Sequence, residues 1–212
     1  MSAIESISED SIRGFLHRPA HSVGFGLVLT HGAGANCQAP LLIAVASAFS
    51  EVGWWVLRCD LPFRQHRRFG PPHPTSAVQD REGLRKAADE LRARSNARVC
   101  VGGHSYGGRQ ASMLLAEDAA VADGLLLFSY PLHPPKKLEQ LRTGHFPQIR
   151  NRALFVHGSN DPFGSIDEMR TALALIQSTT ELVVIEAAGH DLKKGAFDLA
   201  KLVVEPLQRM LA

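Results

Sequence analysis

A chain of 212 residues, 45% hydrophobic and 21% charged, is long enough for one well-buried core and short for two, so a single domain over 1–212 is expected. Its 23 basic and 21 acidic residues leave a formal charge of +2, which gives no global field to draw nucleic acid or an anionic membrane. Three cysteines, Cys37, Cys59 and Cys100, lack C-x-x-C spacing and argue against a disulfide scaffold. Residues 1–10 are polar and acidic where a signal peptide would be basic then apolar, and no apolar run reaches membrane-spanning length, so a cytoplasmic protein is expected.

In chain order, 11–17 alternates loosely, is closed by Arg18-Pro19 and predicts an edge strand. The nearly continuous apolar run 23–30 predicts a strand covered on both faces. It enters the small-residue loop His31-Gly32-Ala33-Gly34-Ala35-Asn36, and an Ala-rich helix follows over 40–52, with Pro40 in its first turn and Gly53 ending it. Residues 54–60 predict another strand, which leads into a loop over 61–74 rich in arginine, proline and histidine. Ser76 with Gln79 makes a capping box for a helix in which Leu84, Ala87, Ala88 and Leu91 recur at helical spacing.

Residues 98–101 predict a strand and 108–116 the helix beyond it. A buried strand over 124–128 precedes a connector, 129–151, with at most one short helix. The strand-like run 153–157 ends in Gly158-Ser159-Asn160-Asp161-Pro162-Phe163-Gly164, and Ser165 with Glu168 makes a second capping box for a helix reaching about 177. A strand over 181–186, a loop over 187–191 and a final helix over 193–211, interrupted by Pro206, complete the chain. This alternation predicts an α/β protein with a mostly parallel sheet and helices on both faces. In such sheets ligands bind beyond the carboxyl ends of the strands, so the loops that follow strands matter most.

Four of those loops carry chemistry. Gly103-His104-Ser105-Tyr106-Gly107 fits G-x-S-x-G, a strained strand-to-helix turn that exposes a serine hydroxyl at the rim of a sheet. A serine hydroxyl needs an imidazole to take its proton, and the imidazole needs a carboxylate to fix its tautomer. His190 and Asp161, each following its own strand, supply these in the order Ser, Asp, His. The backbone N–H of Tyr106, together with that of Ala33 or Gly34, would receive the oxyanion that develops on an attacked carbonyl.

On these residues the chain resembles the α/β-hydrolases over nearly its whole length from Val23 onward. His31-Gly32, Gly103-His104-Ser105-Tyr106-Gly107-Gly108, Gly158-Ser159-Asn160-Asp161-Pro162 and Gly189-His190-Asp191 match that family's oxyanion, nucleophile, acid and histidine segments. Within the superfamily the chain is similar to the compact, lidless dienelactone-hydrolase-like branch. His31-Gly32-Ala33-Gly34, Gly107-Gly108-Arg109 and Asp161-Pro162-Phe163-Gly164 resemble the hydrolase-like domain of a nonspecific-lethal chromatin-complex subunit and its small relatives. Dienelactone hydrolases proper use a cysteine nucleophile where this chain has Ser105. The resemblance implies a serine hydrolase that cleaves a carboxylic ester or thioester of a small-molecule acyl substrate through an acyl-enzyme, with no cofactor, nucleic acid or membrane involved. The rival reading is a catalytically silent interaction module on the same fold, since fold alone does not establish turnover.

Each residue also has a plainer reading. Ser105 could be a structural turn serine, His190 a surface-loop histidine, and Asp161 a turn residue, with Asp60 the reserve acid and Asp191 a loop carboxylate. Cys37 reads as a structural thiol. The ten histidines show no H-E-x-x-H or comparable spacing, so no metal site is expected, and His31 and His104 are expected to pack or hydrogen-bond around the elbow. Arg109 reads as a structural ion-pair partner. Arg64, Arg67 and Arg68 read as a solvated basic loop, with an anion clamp as the alternative. The connector is too short for a multi-helix lid, which predicts a shallow, open pocket.

Overall fold

The computed structural model describes residues 2–9, 12–193 and 198–212. Among them, eight strands form one sheet: β1 (Ala3–Glu9), β2 (Ile12–Arg18), β3 (Phe25–Thr30), β4 (Trp55–Cys59), β5 (Arg98–His104), β6 (Gly124–Phe128), β7 (Arg152–Gly158) and β8 (Thr180–Ile185). Their order across the sheet is β1-β2-β4-β3-β5-β6-β7-β8. From β4 to β8 every neighbouring pair is parallel, while β1 with β2 and β2 with β4 are antiparallel.

The central strands are apolar on both faces because both faces are covered. Pleating sends Val28, Val101, Leu125, Leu127 and Phe155 to one core and Leu27, Leu29, Cys100, Leu126, Leu154 and Val156 to the other. Helix α1 (Pro40–Glu51) covers the second face, contributing Leu42, Val45, Ala46 and Phe49. The short α2 (Pro62–His66) leads toward α3 (Ala77–Ser95), which with α4 (Tyr106–Glu117) and α5 (Ile166–Leu173) covers the first face. The last helix, α6 (Glu205–Leu211), returns to the second face through Leu207, Met210 and Leu211.

The N-terminus corrects one expectation. Residues 12–18 form an internal strand, because β1 pairs along the whole of β2 in register Ala3 to Arg18 through Glu9 to Ile12. Only Ile7 of β1 is buried, so this edge strand is held by backbone pairing and carries no apolar pattern to reveal it. A second correction falls on Ser76. The turn Pro74–Ser76 is already 3₁₀-helical, so Ser76 has helical backbone angles and its side chain makes no capping hydrogen bond, while the His73 side chain accepts from the Thr75 N–H. The Ser165–Glu168 capping box is present, though α5 ends at Leu173, short of 177. In the expected 193–211 helix, residues 194–197 lie outside the described residues. A π-helical turn, Ala200–Val204, runs into α6, and Pro206 falls in the first turn of α6, where a missing N–H is tolerated. Within 129–151 there is one 3₁₀ turn, Phe146–Gln148, and Tyr130 and Phe146 anchor the segment in the core.

Candidate active site

Strand β5 ends at His104, and the next residue turns the chain into α4. Ser105 has φ 51° and ψ −115°, a conformation uncommon outside glycine, and its N–H donates to the Phe128 carbonyl at 2.8 Å. Two flanking glycines make the turn possible. A Cβ on Gly103 would lie 2.3 Å from the Thr30 carbonyl oxygen, and one on Gly107 would lie 2.6 Å from that of His31. Neither backbone can yield without moving β3, so the sharp turn requires both glycines.

The loops after β7 and β8 deliver the other two side chains. His190 Nε2 lies 2.8 Å from Ser105 Oγ, and His190 Nδ1 lies 2.8 Å from Asp161 Oδ2 and 3.0 Å from Oδ1. The Asp161 side chain is fully buried and that of His190 is 21% exposed, so the line runs from interior to solvent. Asp161 Oδ1 also accepts from the Phe163 N–H at 2.9 Å, and the Phe163 ring covers His190 with centroids 4.2 Å apart. His157 lies 3.7 Å from Asp161 Oδ2, and its Nε2 donates to the Gly164 carbonyl at 2.8 Å, closing the Asp161 loop. Burial lowers its pKa, which keeps it neutral beside the carboxylate.

The loop after β3 lies on the other side of the serine. A Cβ on Gly32 would stand 3.5 Å from Ser105 Cβ, so this backbone passes directly beside the hydroxyl-bearing carbon. Its carbonyls are pinned. His31 Nδ1 donates to the Gly32 carbonyl at 2.9 Å while its Nε2 accepts from the Leu61 N–H at 3.1 Å, a pairing that needs the neutral imidazole, and burial lowers the His31 pKa accordingly. Arg64 Nη2 donates to the Ala33 carbonyl at 2.7 Å and to that of Gly70 at 2.9 Å. Its Nε donates to Ala35 at 2.8 Å and its Nη1 to Arg67 at 2.9 Å. The amide of Tyr106 is the first of α4, one of the helix-start donors that have no partner within the helix.

These contacts correct the reading of the basic loop for one member. Arg64 is 6% exposed and bonded to four backbone carbonyls, so it is neither solvated nor an anion clamp. Arg67 and Arg68 are exposed, with Arg68 over the Phe69 ring at 5.3 Å. Arg109 forms no ion pair among the described residues. The residue is half-buried, its charge is felt at Tyr106, Tyr130, Arg142 and His145, and its Nε is buried and unbonded. Sequence reasoning overlooked Asp80, which is fully buried under the rim and accepts from the Tyr106 hydroxyl at 2.7 Å and the Phe63 N–H at 3.0 Å. Burial raises the Asp80 pKa.

The remaining candidates lie apart from the Ser105–His190–Asp161 line. Asp60 accepts from the Cys37 N–H at 2.7 Å, and Asp191 pairs with Lys193 at 3.3 Å. The Cys37 thiol is pushed up to about 12 by burial and then by Asp60, which leaves it protonated. His104 holds the histidine loop, its Nε2 donating to the His190 carbonyl at 2.7 Å. Among the described residues no group of three or more His, Cys, Asp or Glu is placed to hold a metal ion, and no helix is long and apolar enough to cross a membrane.

A strained serine at the carboxyl end of a central parallel strand, with an imidazole and a carboxylate from later strands, is the arrangement of an α/β-hydrolase. The family described as alpha/beta hydrolase domain matches residues 24–199, and the chain belongs to it. Among solved structures, dienelactone hydrolase from Anabaena variabilis is 21% identical, with 98% of this chain and 95% of that one covered at a TM-score of 0.75. TT1662 from Thermus thermophilus is also 21% identical, covering 100% and 98% at a TM-score of 0.75. Est1E from Butyrivibrio proteoclasticus, in a structure with bound ferulic acid, is 15% identical and covers 98% and 99% at 0.77. At these identities the likeness is one of fold, and that fold is the dienelactone-hydrolase-like α/β-hydrolase.

Proposed function

We propose that this α/β-hydrolase is a serine hydrolase acting on a carboxylic ester or thioester of a small molecule through an acyl-enzyme. The observation that carries the reading is the unbroken line Asp161–His190–Ser105, with 2.8 Å at each junction. Ser105 Oγ attacks the carbonyl carbon as its proton passes to His190 Nε2. Asp161 holds the Nδ1–H tautomer and offsets the imidazolium charge. The negative charge on the former carbonyl oxygen is received by the amides of Tyr106 and Ala33, which are fixed before substrate arrives and need no reorganisation. Collapse breaks the bond to the leaving alkoxide or thiolate, which takes the proton from His190, and water repeats the sequence to release the acid. Three buried free thiols suit a reducing, cytoplasmic setting.

The test is labelling by a fluorophosphonate, which phosphonylates an activated serine. Wild-type protein is expected to label and Ser105→Ala not to. A folded wild-type protein that stays unlabelled, or labelling that survives Ser105→Ala, would overturn the assignment.

A further inference from the structure

A pocket of about 490 Å³ opens on the α1 side of the nucleophile, and its wall includes Gly32 and His104, the residues that flank Ser105 in space and in sequence. The volume lies within the roughly 300–1,000 Å³ range of sites that enclose small molecules. The rest of the wall is mainly aliphatic: Ala39, Pro40, Leu41 and Leu42 come from the start of α1, and Leu192 and Leu199 from the segments before α6. Leu192 is 4% exposed and sits in the left-handed region at φ 53°, where leucine is rarely found, with its N–H bonded to the Gly189 carbonyl. The aromatic side chains at the rim, Phe63, Tyr106 and Phe163, are not part of this wall.

Most polar groups in the wall already have partners. Both ring nitrogens of His31 are engaged by the Gly32 carbonyl and the Leu61 amide. His104 Nε2 is on the His190 carbonyl, and Asp191 is paired with Lys193. Among the described residues the pocket therefore has apolar area for a ligand and no unpaired charge to hold a charged one.

We propose that this pocket receives the acyl chain of the substrate, and that the chain is a neutral, medium-length aliphatic one. The proposal rests on Ser105 being the nucleophile. The experiment measures kcat/KM of the full chain on p-nitrophenyl acetate, butyrate, hexanoate and octanoate. A chain entering the pocket is expected to raise kcat/KM two- to fourfold per added methylene up to the octanoate, in line with burial of each CH₂. Ala39→Trp, which fills the pocket at the start of α1, and Ala44→Trp, on the exposed end of the same wall, are expected each to lower the octanoate-to-acetate ratio at least tenfold. A flat or acetate-preferring profile that is abolished by Ser105→Ala would overturn the pocket assignment and leave the hydrolase reading intact. An unchanged ratio in both tryptophan variants would also overturn it. If no ester shows Ser105-dependent turnover, the hydrolase reading fails. The pocket is then judged alone, by anisotropy of a fluorescent N-octanoyl amide: binding that both tryptophan variants weaken supports an aliphatic site, and absence of binding overturns it.

Discussion

Arg64 Nη2 donates to the carbonyl of Ala33 at 2.7 Å, the residue whose amide is proposed to meet the oxyanion. That carbonyl shares its peptide plane with the Gly34 N–H, the other candidate donor, while the Ala33 N–H shares its plane with the Gly32 carbonyl that His31 Nδ1 holds; the same guanidinium fixes the loop further through Ala35, Arg67 and Gly70. Arg64 is therefore a positioning residue. Arg64→Ala is expected to lower kcat on a short ester about 10- to 100-fold with KM within about threefold, because misplacing a donor acts on the transition state more than on ground-state binding. Arg64→Lys should recover little, since an ammonium cannot reproduce a planar fork reaching several acceptors. A KM rise with unchanged kcat in both variants would show instead that Arg64 meets the substrate.

Asp161 is fully buried, and its carboxylate is shared by His190 Nδ1 and the Phe163 amide. Asp161→Asn keeps the shape but can present an N–H where His190 needs an acceptor, which favours the wrong imidazole tautomer. Turnover of p-nitrophenyl acetate should fall about 10³- to 10⁴-fold with little change in the unfolding midpoint. A loss under tenfold would remove Asp161 from the mechanism and return attention to another carboxylate.

The parallel strands, and the meeting of Ser105, His190 and Asp161 at their ends, are legible for one physical reason: the central strands are largely apolar runs, and each of the three candidate residues follows one. That pattern does not reach β1, where Ile7 is the one buried side chain in a polar stretch and pairing is by backbone alone. Ser76 has the composition of a cap, yet Pro74 begins the helical turn two residues early. Arg64 looks like a surface charge because its partners are carbonyls of residues 33, 35, 67 and 70, and backbone acceptors leave no mark in residue types. Asp80 stays hidden on α3 for a similar reason, since its partnership with Tyr106 appears only when α3 packs beside α4.

All three thiols are buried and free, and burial raises the pKa of each. Native protein at pH 8 is expected to react with iodoacetamide at well under one thiol per chain over an hour, and at all three after denaturation. Cys37→Ser should leave the proposed turnover of p-nitrophenyl acetate within about twofold, because Cys37 touches Asp60 and Arg58 and neither His190 nor Ser105. Rapid alkylation of Cys37 in the native state with loss of activity would contradict both statements.

Acid should unfold the protein through its histidines. Arg58 Nε donates to His17 Nε2 at 2.9 Å, which requires that nitrogen to be bare. Burial and then the Arg58 charge lower the His17 pKa from 6.5 to about 4, and His145 is lowered to about 4 by burial and then by Arg109. A group whose folded pKa lies below its unfolded value binds fewer protons folded. Its stabilising contribution is therefore complete above pH 6.5 and declines as pH falls toward 4. For His17, 1% exposed, the loss by pH 4.5 is on the order of 2 kcal/mol. The urea midpoint should be level from pH 8 to 7 and fall steadily below 6.5. His17→Gln keeps an acceptor for Arg58 without the titration, so it should lose less stability between pH 6.5 and 4.5 than wild type. Equal losses in the two proteins would mean that His17 binds its proton as readily in the folded as in the unfolded state.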